Sequence, residues 1–131
     1  MRKEIEITIE QGRDAGKTFK IVEMSAVQTD RWATKALCLL GRSNQGLEVI
    51  ANMSMVDFLM ALSQADPDEA QPLLDELLAC SSFKKDGSFV NMKGQLVDSV
   101  IEDFSTIFRL RLEALKLHLD FLEQGGESVS K

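Results

Sequence analysis

The stretch from about Gln95 to Glu123 constrains this chain more than any other part of it. Val97, Ile101, Phe104, Phe108, Leu112, Leu115, Leu119 and Leu122 recur at steps of three and four. At ~100° per residue they fall within about 40° of one line, so they form one apolar face of a long helix. Val100, Ile107, Leu110, Ala114, Leu117 and Phe121 occupy the neighbouring arc. Polar residues are confined to a narrow strip of Asp98, Glu102, Ser105, Arg109, Lys116, Asp120 and Glu123, with Arg111 between the apolar sets and His118 near the second. A helix packed on one side of a small domain needs far less apolar surface than this. At about 25 cal/mol per Å², leaving ~400 Å² of it in water forgoes roughly 10 kcal/mol, so something covers it. Two covers are open. One is other helices of the same chain; the other is a second protein chain, because a large exposed apolar patch on a soluble protein marks an interface.

At 131 residues the chain is long enough for one core but not two. The expected organisation is a single α+β domain over residues 1–124 and a flexible C-terminal tail over 125–131, Gly125-Gly126-Glu127-Ser128-Val129-Ser130-Lys131. Before the long helix, Ile5, Ile7 and Ile9 alternate with Glu4, Glu6, Thr8 and Glu10, which reads as a strand with one face buried. Thr18-Phe19-Lys20-Ile21-Val22 is its β-rich partner, and the two make an N-terminal hairpin. Ser25 stands where a helix cap would, with Gln28 completing a capping-box pattern. Val27, Trp32, Ala33, Ala36, Leu37 and Leu40 supply that helix's apolar face, and Gly41 stops it. A second helical region runs from about Leu47 to Gln64. Asp66-Pro67-Asp68 starts a third, with Ala70, Leu73, Leu74, Leu77 and Leu78 as its stripe. Asp86-Gly87 between Phe83 and Val90 signals a second small hairpin, which either pairs with the first or stands out as an arm. The sum is about four helices, the C-terminal one long, with two hairpins.

One motif invites a sharper reading. Gln11-Gly12-Arg13-Asp14-Ala15-Gly16-Lys17-Thr18 ends in the Gly-Lys-Thr of phosphate-binding loops. The spacing is wrong, because the first glycine of that motif belongs at position 11, which is Gln11. A phosphate loop must also run from a strand into a helix, whose N-terminus faces the anion, and here a strand follows. The stretch is read as a hairpin connection.

Charge narrows the partners. Fifteen Lys and Arg against 21 Asp and Glu give a net charge of −6, which repels nucleic acid backbones and anionic membranes. Between Ser43 and Phe83 there is no Lys or Arg, while Glu48, Asp57, Asp66, Asp68, Glu69, Asp75 and Glu76 are acidic. That stretch is either a solvated surface or a site for a basic partner. Cys38 and Cys80 sit in apolar helical patterns without CxxC spacing and read as buried thiols in a reducing cytosol. Met1-Arg2-Lys3-Glu4 leads directly into a strand, so no secretory signal is expected, and no apolar run approaches the ~18 residues of a membrane span. Catalysis needs a nucleophile, acid or base beside an orienting partner. The one histidine, His118, lies mid-helix beside an apolar arc and reads as a packing or interface residue. Asp66-Pro67-Asp68-Glu69 lacks the glycine turn of a calcium loop. With no tyrosine, and phenylalanines not interleaved with basic residues, single-stranded nucleic acid is disfavoured. No enzyme, cofactor or metal site is expected; the reading is of a binding protein.

Two blocks carry a family likeness. GRDAGKTFKIVEMSAVQTDRWATKAL joins a glycine-containing connection, a strand ending in Glu23-Met24 and a helix bearing Trp32-Ala33. DSVIEDFSTIFRLRLEALKLHLDFL contains Phe108-Arg109-Leu110-Arg111-Leu112 and Leu117-His118-Leu119. Together they resemble the tail assembly chaperones of long-tailed bacteriophages. The resemblance implies a protein that binds the long, aggregation-prone tape measure protein in the cytoplasm of the infected bacterium, helps deliver it to the tail tube protein, and is absent from the mature virion. On that basis Leu110, Leu117 and Phe121 are expected to contact the client or another copy of the chain. The methionine-rich region around Met53, Met55 and Met60 is a second candidate surface, since methionine adapts its shape either as core filler or as a pliable binding face. The rival expectation is a small acidic phage or bacterial regulator that inhibits a host protein by covering a basic surface. A nucleotide switch or enzyme comes third.

Overall fold

The computed structural model describes residues 2–42, 54–91 and 95–129, with backbone alone at 42, 95, 96 and 120–129. The elements in chain order are β1 (Glu4–Thr8), β2 (Thr18–Val22), α1 (Ala26–Arg42), α2 (Met55–Ser63), α3 (Pro67–Leu78), β3 (Ser81–Lys85), β4 (Ser88–Asn91), α4 (Gln95–Val100) and α5 (Phe104–Val129). The chain is α+β. Its two hairpins join in one antiparallel four-stranded sheet of order β1-β2-β3-β4, so the second hairpin pairs with the first. Register sets Ile21 opposite both Ile5 and Ser81, and Phe19 opposite both Ile7 and Phe83. The period-2 alternation then sends Phe19 and Ile21, both fully buried, to one face. Phe19 and Phe83 meet there at 5.5 Å between ring centroids. On the other face Lys20 stands over the Phe89 ring at 4.6 Å. Asp86 and Gly87 both take positive φ, at 53° and 83°, as a two-residue turn matched to strand twist requires.

Helices α1, α2 and α3 each begin at a capping side chain. The Gln28 amide of α1 donates to Ser25 Oγ at 3.2 Å, Asp57 N of α2 to Ser54 Oγ at 3.1 Å, and Asp68 N of α3 to Asp66 Oδ1 at 3.1 Å. Pro67 occupies the first turn of α3, where its missing N–H costs nothing. The Gln28 side chain does not close a capping box; it turns to Glu76, with Nε2 at 3.4 Å from Oε2. The buried stripe of α1 is Trp32, Ala36, Leu39 and Leu40, whereas Val27 and Leu37, expected on that face, are 61% and 43% exposed. Of the second helical region, residues 54–64 are described and the part from Leu47 to Met53 lies outside the described residues.

The long C-terminal element differs from its expected form. It is two helices, broken at Ile101-Glu102-Asp103, and the second carries helical backbone past Glu123 to Val129, into the stretch expected as a tail. The break changes which residues face inward. Phe104, placed by the periodicity on the packed face, is 73% exposed at the start of α5. Leu110, Ala114, Leu115 and Leu117 are buried, and α5 packs against α2, α3 and β2. One apolar cluster runs through all of these elements. Among the described residues no helix is long and apolar enough to cross a membrane.

Candidate functional site

The loop that ends in Gly-Lys-Thr presents an anion rather than receiving one: its own Asp14, held by Lys17 of the loop and by three donors at the break between α4 and α5. The backbone between β1 and β2 turns through Gly12 and Gly16, at φ 86° and 93°, and closes with Ile9 N to Lys17 O at 2.9 Å and Gly16 N to Ile9 O at 2.7 Å. The turn directs the Asp14 carboxylate, fully buried, at the break between α4 and α5. There it accepts hydrogen bonds from Glu102 N at 3.0 Å, Asp103 N at 3.0 Å and Thr106 Oγ1 at 2.6 Å. Lys17 Nζ completes the ring of donors at 2.8 Å and also donates to the Val100 carbonyl. The cation thus caps the last turn of α4 while the carboxylate sits at the first turn of α5, each at the helix end whose dipole favours it. Burial alone raises the Asp14 pKa, but the hydrogen bonds from Lys17, Thr106, Glu102 and Asp103 outweigh it and hold the carboxyl well below the usual range.

Asp103 answers from the other side. Its carboxylate accepts from Ser105 N at 3.1 Å and Ser105 Oγ at 2.9 Å, which caps α5, and from Arg13 N at 3.3 Å. These hydrogen bonds, Ser105's first, lower its pKa. A Cβ on Gly12 would lie 2.6 Å from Asp103 Oδ2 and would displace that carboxylate, and the φ of 86° at this position is one that favours glycine. Neither aspartate was singled out from the sequence as a clasp. The available signal was Asp103 followed by Ser105 and Thr106, a helix start inside the apolar periodicity.

His118 ties the far end of the same helix to the same hairpin. It is 6% exposed. Nε2 accepts from Met24 N at 2.7 Å, just beyond β2, and Nδ1 lies 2.7 Å from the Ala114 carbonyl, so the proton is on Nδ1. Both ring nitrogens are spent inside the fold. Trp32 Nε1 donates to the Leu73 carbonyl at 2.9 Å, and Arg111 Nε to that of Leu74 at 3.2 Å, tying α1 and α5 to α3.

These contacts decide where the expected partner-binding residues lie. Leu110 is fully buried and Leu117 is 8% exposed, both inside the core. They are therefore not a free client surface: the α2, α3 and β2 packing covers the second arc of the helix from within the chain. Phe121's side chain and Met53 lie outside what is described. Met55 is half-buried against the core, while Met60 is 44% exposed beside Val56, one turn earlier on α2, at 42%. The cysteines divide as well. Cys80 is half-buried, with its thiol pushed up to about 11 by burial and by Glu76; Cys38, expected to be buried, is exposed.

Cys38 lies on the wall of a groove of about 430 Å³ between α1 and α3. Leu39 and Leu73 form its floor, Thr34, Lys35 and Cys38 one wall, and Glu69, Pro72 and Glu76 the other. The chain's own core is closed beneath it, with Leu39 and Leu73 at 4% and 3% exposure. The recess is apolar at the bottom, acidic on one side, and open to solvent, which suits the capture of a partner segment. Comparison with protein-family models, with curated proteins and with solved structures finds no match to this chain.

Proposed function

We propose that this chain is a non-enzymatic tail assembly chaperone of a long-tailed bacteriophage, which holds the tape measure protein and helps present it to the tail tube protein in the host cytoplasm. The observation that carries the reading is the α1–α3 groove: an apolar-floored recess left open on a chain whose long C-terminal helix has already closed its own core. The exposed Val56 and Met60 on α2 add a second apolar strip of the adaptable kind. A client with long apolar helices needs such a carrier, acidic overall so that the complex stays in solution. The two sequence blocks that resemble these chaperones support the same reading. It is tested by co-expression with overlapping fragments of the tape measure protein from the same genome. A soluble, co-purified fragment supports it, and a folded chain that retains none refutes it. The acidic residues of α3 and its cap, Asp66, Asp68, Glu69, Asp75 and Glu76, favour a second reading, an inhibitor of a basic host surface, although Asp75 already lies 3.7 Å from Arg111 of α5. Binding that collapses between low and high salt would point there, because apolar capture is nearly indifferent to ionic strength.

A further inference from the structure

We infer that two copies of this chain join edge to edge through β4, paired antiparallel about a twofold axis at Val90, so that two four-stranded sheets become one of eight strands. The inference goes beyond the client reading and does not depend on it.

The ladder itself shows which backbone groups are unspent. Val22 N donates to the Cys80 carbonyl, so the even-numbered residues of β3 turn their N–H and C=O groups toward β2 and the odd-numbered ones toward β4. Val90 and Ser88, opposite Phe83 and Lys85, spend theirs on β3. Phe89 and Asn91 therefore point theirs outward at the sheet edge, where their backbone groups have no partner among the described residues. When a second β4 lies antiparallel with Val90 opposite its counterpart, Phe89 of each copy comes opposite Asn91 of the other. Both are then hydrogen-bonded pairs, each exchanging two bonds, and about four new backbone bonds form.

The side chains name the occupant. On the core face the register lines up Ile7, Phe19, Phe83 and Val90, an apolar row that is fully buried at Phe19 and ends in a valine left 39% exposed. In the twofold register Val90 meets its counterpart as a non-hydrogen-bonded pair, ~4.5 Å between Cα atoms, and the row continues into the second copy. A foreign strand would satisfy the same backbone groups without extending that row. β4 also carries no charge, no proline and no bulge, the usual guards of an exposed edge. Lys84 beside it does not oppose the pairing, because the two copies of that residue stand three strand spacings apart, ~14 Å, beyond the Debye length at physiological salt. The other edge, β1, is guarded. Ile9 N donates to the Lys17 carbonyl and Glu23 N to the Lys3 carbonyl, so Glu4, Glu6 and Thr8 turn their backbone outward there. Every twofold pairing of β1 with itself sets glutamate against glutamate, drawn from Glu4, Glu6 and Glu10.

A four-residue edge makes a small contact, so the dimer is weak, with a Kd of about 0.1 mM. The full chain is followed by sedimentation equilibrium from ~10 μM to ~1 mM, with amide hydrogen exchange read residue by residue by NMR over the same range. Exchange at Phe89 and Asn91 should slow in proportion to the monomer fraction, about fivefold at ~1 mM, with no change at Glu4, Glu6 and Thr8. Val90→Lys sets like charges face to face on the axis, and Asn91→Pro removes an outward N–H while sparing the ladder to β3; each should keep the folded chain monomeric. In a Cys38→Ser background, Val90→Cys should form an interchain disulfide on mild oxidation, since the paired Cα atoms lie within disulfide range, while Lys85→Cys should form none. Cys80 stays a bystander there, half-buried with its pKa raised to about 11.

A chain that stays monomeric up to ~1 mM overturns the inference. So does a dimer that survives both variants with exchange at Phe89 and Asn91 unchanged, which would lie elsewhere on the surface. Growth beyond the dimer with protection at Glu4, Glu6 and Thr8 overturns it too, as the mark of β1 pairing head to tail with β4. Protection of Phe89 and Asn91 that appears only with a tape measure fragment would give the edge to the client instead. Should a variant lose its fold, the exchange rates of the wild-type chain decide alone.

Discussion

Replacing Asp14 by alanine removes the acceptor for four donors at once. Thr106, 2% exposed, and the amides of Glu102 and Asp103 then have no partner, and Lys17 loses its counter-charge but can still reach the Val100 carbonyl. An unsatisfied buried donor costs about 1–3 kcal/mol, and part of the sum is recovered because the carboxylate no longer has to be desolvated. Breaking a buried pair by removing one partner costs about 3–5 kcal/mol overall, the value expected here. For a chain of this length that corresponds to a fall in Tm of roughly 11–18 °C by calorimetry near pH 7. The acid dependence provides an independent check of sign. Asp14 titrates lower in the folded than in the unfolded chain, where its ordinary value is 3.8. Its contribution is therefore complete above that value and is lost as pH falls, by up to about 1.4 kcal/mol for each unit below pH ~4. The difference between wild type and Asp14→Ala should shrink from pH 5 to pH 2, while carboxylates remote from the clasp act equally on both. Formate, small enough for the vacated site, should raise the Tm of the variant and not of the wild type, by about 1 kcal/mol of stability at five times its Kd. A Tm difference under about 3 °C, or one that stays constant into acid, would refute the account of Asp14 as the charged centre of the clasp.

Gly12→Ala should lower stability by roughly 1–3 kcal/mol, since its positive φ is strained for alanine and the new Cβ meets Asp103; combining it with Asp103→Ala should recover part of the loss in urea melts. His118→Ala leaves the Met24 amide buried without an acceptor and should cost about 2–4 kcal/mol by the same measurement, with deuterium exchange at Met24 rising more than at Leu77. Leu117→Ser should lower Tm rather than spare the fold while abolishing client binding, because the side chain is core. Ser81→Ala should act in the other direction. The Ser81 hydroxyl is fully buried and has no hydrogen-bond partner among the described residues, so removing it should stabilise the chain by about 1 kcal/mol.

Much of the architecture was legible because it rests on local chemistry. The Ile5-Ile7-Ile9 alternation, the Asp86-Gly87 turn and the helix starts at Ser25 and Asp66 each depend on residues within a few positions of one another. What escaped was long-range. Asp14 is 89 residues from Asp103, and nothing in the spacing of either reveals that a hairpin loop will supply the anion for a helix N-terminus. The apolar periodicity carried across Glu102 and Asp103 without interruption, so a count of hydrophobic steps read one helix where a capping residue makes two. The same limit misplaced Phe104 and left open whether Leu110 and Leu117 are covered by the chain itself or by a partner, which the family resemblance took as a contact surface. Periodicity identifies which residues share a face but cannot say whether the cover comes from the same chain.

The placement of α5 bears on how a client can be held. β2 begins beside Asp14 and Lys17 and ends just before Met24; α5 passes Thr106 near the first point and His118 near the second. Helix and strand therefore run in the same direction, fastened at both ends by polar contacts and filled between them by Phe19, Ile21, Leu110 and Ala114. Releasing this stretch of α5 to expose its apolar arc would require breaking the Asp14 clasp, the His118–Met24 bond and the intervening core together, which amounts to unfolding the domain. Capture through that arc is thus energetically closed while the chain stays folded. The groove between α1 and α3 and the Met60 strip of α2 need no such rearrangement, since Cys38, Pro72, Val56 and Met60 already face solvent. If tape measure fragments bind, destabilising α5 by Asp14→Ala should therefore leave client affinity nearly unchanged at temperatures where the variant remains folded, whereas Thr34→Trp should reduce it at unchanged Tm. The opposite pattern, tighter binding as the clasp is loosened, would show that the client takes the buried arc after all.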